Sequence, residues 1–132
     1  MEPSSGTPSV VVIGTGFGGL AAAVELKGRG VTDLVLVERG DDVGGVWREN
    51  TYPGAACDVP SPFYSFSFAP HTRWPRRFSR QPAILDYLRS VAVEKDVRRH
   101  VRFGTTVLGA TYDDATGRWT VELDDGDRLT CD

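Results

Sequence analysis

The sequence predicts an α/β fold: a Rossmann-like βαβ unit with a parallel sheet, then a long ordered aromatic loop, then a C-terminal antiparallel β-meander. Three observations predict it. A short β-branched run, Ser9–Ile13, leads directly into the glycine-rich Gly14-Thr15-Gly16-Phe17-Gly18-Gly19. An alanine- and leucine-rich stretch and a second apolar run follow within about thirty residues, the length of one βαβ unit. Near the end of the chain, three segments alternate apolar and polar residues between Asp- and Gly-containing turns.

Ser9–Ile13 is apolar and bounded by glycine, as suits a strand covered on both faces in a parallel sheet. Leu20–Lys27 is helical by propensity, and Gly28 and Gly30 end it. Val31–Val37 is a second strand, closed by Glu38. Between Arg39 and Arg80, prolines and glycines exclude a long helix. Trp47, Tyr52, Phe63, Tyr64, Phe66 and Phe68 exclude a disordered linker there. A long ordered loop in a compact domain is usually functional, which predicts a folded cover over a ligand. The same aromatics also suit the core of an irregular subdomain.

Pro82–Val97 reads as a helix, with Ile84, Leu85, Leu88, Val91 and Ala92 at helical spacing and Pro82 in the first turn. Val101–Phe103 is a third parallel strand. Thr106–Tyr112, Trp119–Leu123 and Arg128–Cys131 form the meander. Residues 1–8 read as a disordered lead-in and residues 9–132 as one partial domain.

A net charge of -3 gives no electrostatic reason to expect nucleic acid or an anionic membrane as partner. The basic cluster Arg73, Arg76, Arg77 and Arg80 reads as a solvated face. No run reaches the ~20 apolar residues of a membrane span, and Met1–Ser9 lacks the pattern of a signal peptide. The expected location is the cytoplasm. Cys57 and Cys131 are too few and too far apart for a disulfide framework or a zinc site. His71 and His100 stand without a second ligand at metal spacing and read as surface or loop residues, so no metal is expected.

Gly14 to Gly19 fits G-x-G-x-x-G. Gly14 permits the tight turn, Gly16 lets the backbone approach a pyrophosphate, and Gly19 lets helix and strand pack closely. The helix N-terminus offers N–H groups to the phosphates. Glu38 lies 19 residues beyond Gly19 (38 − 19), at the end of the second strand, where a carboxylate can accept ribose hydroxyls. Its charge would repel a 2′-phosphate, and Arg39, directly after it, reads as pointing away from the ribose. FAD and NAD remain as ligands. An aromatic, proline-stiffened loop beginning Gly44-Gly45-Val46-Trp47 favours a flat tricyclic ring.

From Gly44 onward the residues are more specific. Gly44-Gly45-Val46-Trp47-Arg48-Glu49-Asn50-Thr51-Tyr52-Pro53-Gly54-Ala55-Ala56-Cys57-Asp58-Val59-Pro60-Ser61, then Tyr64-Ser65-Phe66-Ser67-Phe68, closely resembles the N-terminal FAD domain of Baeyer–Villiger monooxygenases. It is similar, more loosely, to flavin-containing monooxygenases. The resemblance runs from Val10 through Phe78-Ser79-Arg80-Gln81-Pro82 to Val101–Val107. It implies an enzyme in which NADPH reduces FAD and O2 is captured as a flavin C4a-peroxide. That peroxide then oxygenates a ketone or a heteroatom compound.

By the same resemblance, Gly14, Gly16, Phe17, Gly18 and Gly19 hold the FAD pyrophosphate and Glu38 the adenosine ribose. Gly45, Val46, Trp47 and Arg48 line the flavin side, Asp58 and Tyr64 lie near the isoalloxazine, and the Val107 backbone meets the adenine. Ala56, Cys57 and Asp58 meet the nicotinamide cofactor, although several members carry arginine where this chain has Ala56. Asp58 is the catalytic candidate, its carboxylate holding an arginine supplied later in the chain. As an aspartate before Val59-Pro60 it also suits a turn cap.

The family's second G-x-G-x-x-G, its F-x-G-x-x-x-H-x-x-x-W-P fingerprint and the final strand of its FAD domain are not among the 132 residues. The expectation is an incomplete domain from a truncated or split gene, inactive alone, with the NADPH site mostly outside the chain. The C-terminal part could then be a separate chain. Two alternatives stand beside this: a stand-alone FAD- or NAD-binding module, and a degenerate interaction domain without catalysis.

Overall fold

The two apolar runs at Ser9–Ile13 and Val31–Val37 divide their side chains between two cores. The computed structural model describes residues 6–132. The expected lead-in lies outside them for its first five residues, and residues 6–8 are exposed and belong to no helix or strand. Strands β1 (Val10–Ile13), β2 (Leu34–Val37) and β3 (Val101–Arg102) form a parallel sheet in the order β1-β2-β3. Successive side chains of a strand point to opposite faces. Accordingly Val10, Val12, Leu34 and Leu36 face the helices, whereas Val11, Val35 and Val37 face the meander.

Helix α1 (Phe17–Gly28) crosses from β1 to β2, burying Leu20 and Ala23. It ends as expected, with Gly30 in the left-handed region (φ 86°) and the Val31 N–H bonded back to the Leu26 carbonyl. That bond commits Val31 to the helix terminus, so β2 starts at Leu34 rather than at Val31. Helix α3 (Gln81–Glu94) packs Ile84, Leu88, Val91 and Ala92 into the same core. It stops before Val97 for a parallel reason: Asp96 turns left-handed (φ 53°) and the Val97 N–H bonds the Ala92 carbonyl. The Lys27 ammonium from α1 donates to the Lys95 and Asp96 carbonyls at this end, where a cation complements the helix dipole.

The meander consists of β4 (Val107–Asp113), β5 (Arg118–Leu123) and β6 (Arg128–Cys131), antiparallel throughout. Val121, Leu123 and Cys131 pack under Val37. Ser9 ties its far end to β1, donating from N–H and hydroxyl to Asp132 Oδ2, both at 2.8 Å.

The long loop is ordered as expected, and contains the short helix α2 (Val46–Glu49) and a 3-10 turn at Ser61–Phe63. Its two ends are joined by the Ala56–Arg80 bridge and by a 2.9 Å bond from the Cys57 N–H to the Ser79 carbonyl. Its aromatics serve the core reading more than the cover reading. Phe66 is buried, while Trp47, Tyr64 and Phe68 pack beside it. Tyr52 and Phe63 are exposed. The Tyr87 hydroxyl of α3 fastens the loop, accepting from the Phe66 N–H at 2.8 Å and donating to the Ala69 carbonyl at 2.7 Å. Among the described residues, no helix is long and apolar enough to cross a membrane.

Candidate functional site

A cleft of about 400 Å³ opens where β1 and β2 end, the place where open α/β sheets bind ligands. Gly14, Thr15 and Gly16 form its floor, Glu38 and Arg39 one wall, Gly45, Val46 and Glu49 a second, and Thr105, Thr106 and Val107 a third. Bare backbone defines the floor. Gly14 has φ 91°, a conformation that side chains disfavour, and a Cβ on Gly19 would fall 2.0 Å from the Gly14 carbonyl oxygen. Gly45 (φ 54°) lies so close that its Cβ would sit 2.9 Å from the Gly16 Cα. The Gly44 N–H bonds the Thr15 carbonyl at 3.0 Å, locking the loop onto the glycine turn. Gly16 also begins α1 and brings no side chain to cap it, so the first-turn N–H groups stay available to an anion.

Glu38 is only 4% exposed. Its Oε2 accepts from the Thr15 N–H at 2.9 Å and the Thr15 hydroxyl at 2.6 Å. Oε1 accepts from the Gly40 N–H at 2.8 Å and faces Arg48 Nη1 at 3.2 Å. Burial alone would raise the Glu38 pKa, but the donors of Thr15, Gly40 and Arg48 outweigh it and hold the carboxyl below its ordinary value. Glu38 is therefore an anion whose lone pairs are already taken, and an added hydroxyl must replace one of these donors.

Arg39 is turned toward Glu49. It borders the cleft, where Glu49 Oε1 holds its Nη2 at 2.7 Å. Of the expected flavin-side run, Gly45 and Val46 border this cleft and Trp47 and Arg48 do not. Trp47 Nε1 donates to the Tyr64 hydroxyl at 3.1 Å. The Arg48 guanidinium lies over the Cα of Gly40, where a side chain would push it aside, and also donates to the Asp42 carbonyl. Phe17 packs edge-on against Tyr64 at 4.9 Å and belongs to the core around Phe66 and Tyr87. Gly18 is exposed in the first turn of α1.

Ala56 and Asp58 are exposed, and the Cys57 thiol between them is buried in the main core. Any contact at this segment therefore falls to Ala56, to Asp58 and to the backbone. The Asp58 carboxylate takes part in no hydrogen bond or ion pair among the described residues, so the turn-cap reading finds no partner. Both histidines are half-buried rather than on the surface: His71 meets Trp74 edge-on at 4.5 Å, and His100 Nδ1 lies 3.2 Å from the Leu34 carbonyl. Arg73, Arg76, Arg77 and Arg80 are exposed. Among the described residues no three His, Cys, Asp or Glu side chains gather as a metal site.

Sequence reasoning passed over Thr15, Gly40 and Glu49. Thr15 occupies a free position of the glycine motif. Glu49 reveals its role only once α2 turns it back toward Arg39.

Comparisons with known proteins agree with this fold. A Baeyer–Villiger monooxygenase of Streptomyces coelicolor is 53% identical over 93% of this chain, and an FAD-binding monooxygenase of Dothistroma septosporum is 39% identical over 92%. Among solved structures, an oxidised steroid monooxygenase bound to NADP superposes with a TM-score of 0.88 at 43% identity over 94% of this chain. An open cyclohexanone monooxygenase gives 0.88 at 40% identity over 96%. The chain spans about a quarter of the length of these relatives, 24% of the first and 25% of the cyclohexanone enzyme. The resemblance to flavin monooxygenases read from the Gly44–Ser61 segment thus holds along nearly the whole chain. Residues 12–89, which carry the glycine turn, Glu38 and most of α3, match the model of the NAD(P)-binding Rossmann-like domain, and the chain belongs to that family.

Proposed function

We propose that this chain is the FAD-holding part of an NADPH-dependent flavoprotein monooxygenase, with the adenosine diphosphate half of FAD in the cleft at the ends of β1 and β2. The bare backbone where Gly14, Gly16 and Gly45 meet carries this reading, because a pyrophosphate can approach main-chain N–H groups there without a side chain in the way. The other residues fit the group. A ribose hydroxyl would replace one of the donors on Glu38, and the Val107 backbone would meet the adenine. Ile13 and Val46, 62% and 61% exposed at the cleft, would be covered by the nucleotide.

Further along, Gly45–Arg48, Tyr64 and Asp58 flank the flavin in this reading, and Ala56–Asp58 the nicotinamide cofactor. Bound FAD supplies the electron-transfer and oxygen chemistry that side chains lack. Asp58 contributes an exposed carboxylate free to hold a cation from another segment. In the whole enzyme NADPH is the reductant, O2 the oxidant, and a ketone or a heteroatom compound the small-molecule substrate. Relatives named for Baeyer–Villiger and cyclohexanone oxygenation favour the ketone.

Hydride transfer needs two cofactor rings at near-attack distance, placement that can account for ~7–11 kcal/mol of a barrier. Among the described residues one cleft is floored by the glycine turn, so residues 9–132 alone should bind FAD weakly and form no ester from FAD, NADPH and a ketone. Equilibrium dialysis of the purified chain against FAD tests the reading. Glu38→Ala should weaken retention, at most about ten- to a hundredfold, the worth of a full charge-assisted hydrogen bond, because the ribose hydroxyl takes the place of a donor already there. Equal affinity in the two proteins would remove the nucleotide from this cleft.

A further inference from the structure

The four charges around the cleft are not independent. Glu49 Oε1 receives Arg39 Nη2 at 2.7 Å and Nε at 3.2 Å, and also Arg48 Nη2 at 3.1 Å. The other arm of Arg48 faces Glu38 Oε1 at 3.2 Å. An alternating row, Arg39–Glu49–Arg48–Glu38, therefore joins the cleft-lining Arg39, Glu49 and Glu38 through Arg48, which does not border the cleft, with two positive and two negative charges. Glu38 is not a bare anion in this row, because Arg48 lies against it. Its charge alone is a weak barrier to a 2′-phosphate, contrary to what the sequence implies.

The barrier has to come from elsewhere. Arg39 is the cation that borders the cleft, immediately after the ribose-side carboxylate, and its side chain is 67% exposed. An unheld guanidinium at that place would form paired hydrogen bonds with a 2′-phosphate. Glu49, itself lining the cleft, occupies the Nε/Nη2 edge of that guanidinium and sets a carboxylate charge against it.

We propose that Glu49 is a specificity-determining residue: by holding Arg39 it withholds the cleft's guanidinium from a 2′-phosphate and so keeps 2′-phosphorylated dinucleotides out of the place FAD would take. An enzyme that uses both FAD and NADPH needs such a filter, because the two cofactors share an adenosine diphosphate half and differ here by one phosphate. The inference rests on the cleft being a nucleotide site.

ADP-ribose and 2′-phospho-ADP-ribose differ only by that phosphate. Titration calorimetry of the 132-residue chain with both, at low salt, is the test. Wild type should prefer ADP-ribose. Glu49→Gln should shift the ratio of the two affinities about tenfold toward the phosphorylated probe, the worth of a charge-assisted bond, whatever it does to ADP-ribose binding itself. Adding Arg39→Met to Glu49→Gln should abolish that gain, and so should high salt, which screens exposed charges. Arg39→Met alone, which does not depend on Glu49→Gln folding, should leave the wild-type preference unchanged. ADP-ribose binding with the same preference in wild type and Glu49→Gln would overturn the role of Glu49 and leave the nucleotide site standing. Weaker binding of the phosphorylated probe by Arg39→Met alone would mean Arg39 is already free, and would overturn it too. No ADP-ribose binding by the folded wild type would overturn the site and the filter together.

Discussion

Thr15 and Glu38 are joined by a double hydrogen bond: the Thr15 N–H and hydroxyl both donate to Glu38 Oε2, at 2.9 and 2.6 Å. The bond links the glycine turn after β1 to the end of β2, so one carboxylate fixes both edges of the cleft. Gly40 and Arg48 fill its other oxygen. Removing the carboxylate strands buried donors and an arginine. Glu38→Ala should therefore cost about 3–5 kcal/mol of stability, as expected when one partner of a buried pair is deleted, measured by urea unfolding of the chain.

The same network sets a pH dependence. The Glu38 pKa is lowered from 4.5 in the folded protein, so its contribution is fully present above about pH 4.5 and is lost as pH falls through the lower folded value. Asp42 acts in the same direction, because its bonds from Arg98 and Arg89 outweigh burial and depress its pKa. Unfolding free energy should be flat above about pH 5 from these groups and decline below it. Glu38→Gln should flatten part of that decline, and an unaltered acid limb would contradict the network.

Two neighbouring glycines should separate fold from function. A Cβ at Gly19 meets the Gly14 carbonyl at 2.0 Å and has nowhere to go, whereas a Cβ at Gly16 makes an ordinary 3.7 Å contact with Gly45. Gly19→Ala should lose ~1–3 kcal/mol or more through overpacking. Gly16→Ala should keep the fold and lose FAD or ADP binding. Thermal melts and dialysis, run side by side, report both.

Order in the long loop depends on Tyr87. Tyr87→Phe would leave the Phe66 N–H and the Ala69 carbonyl without partners, at a cost of about 1–3 kcal/mol. Hydrogen exchange should then accelerate around residues 63–69 before the parallel sheet is affected.

Asp58 should behave oppositely. Exposed and without a partner, it can be changed to alanine with less than about 0.5 kcal/mol of effect on the chain. A turn cap would cost more. In a longer enzyme carrying this segment, Asp58→Ala should retain flavin but slow its reduction by NADPH or divert oxygen to hydrogen peroxide.

Period and punctuation made the fold legible. Apolar runs placed the first two strands in one parallel sheet, glycine placed the end of α1, and spacing placed the buried face of α3. Boundaries slipped by a few residues at Val31 and at Val97. At both places a left-handed residue redirects a backbone N–H into the preceding helix, a bond that composition does not reveal. At the site, Gly14, Gly16 and Glu38 were legible because their motif has a backbone cause. Glu49 and Gly40 were not, because their roles depend on how α2 turns Glu49 toward Arg39 and Arg48 toward Gly40. The aromatic loop left two readings open in the sequence, a cover over a ligand and an irregular core. Counting rings does not tell which way they face, and Trp47, Tyr64 and Phe66 face inward.

The central claim is that the cleft at the ends of β1 and β2 receives the adenosine diphosphate half of FAD. Amide-resolved NMR of the isotope-labelled chain, titrated with FAD and then with ADP, tests it most directly. Both ligands should shift the same amides, those of Gly14, Thr15, Gly16, Gly45 and Val107, and FAD should add shifts beyond them toward Tyr64 and Asp58. Shifts confined to the groove beside Pro62, Trp74 and Arg77, or none in the glycine turn at saturating ligand, would contradict the account.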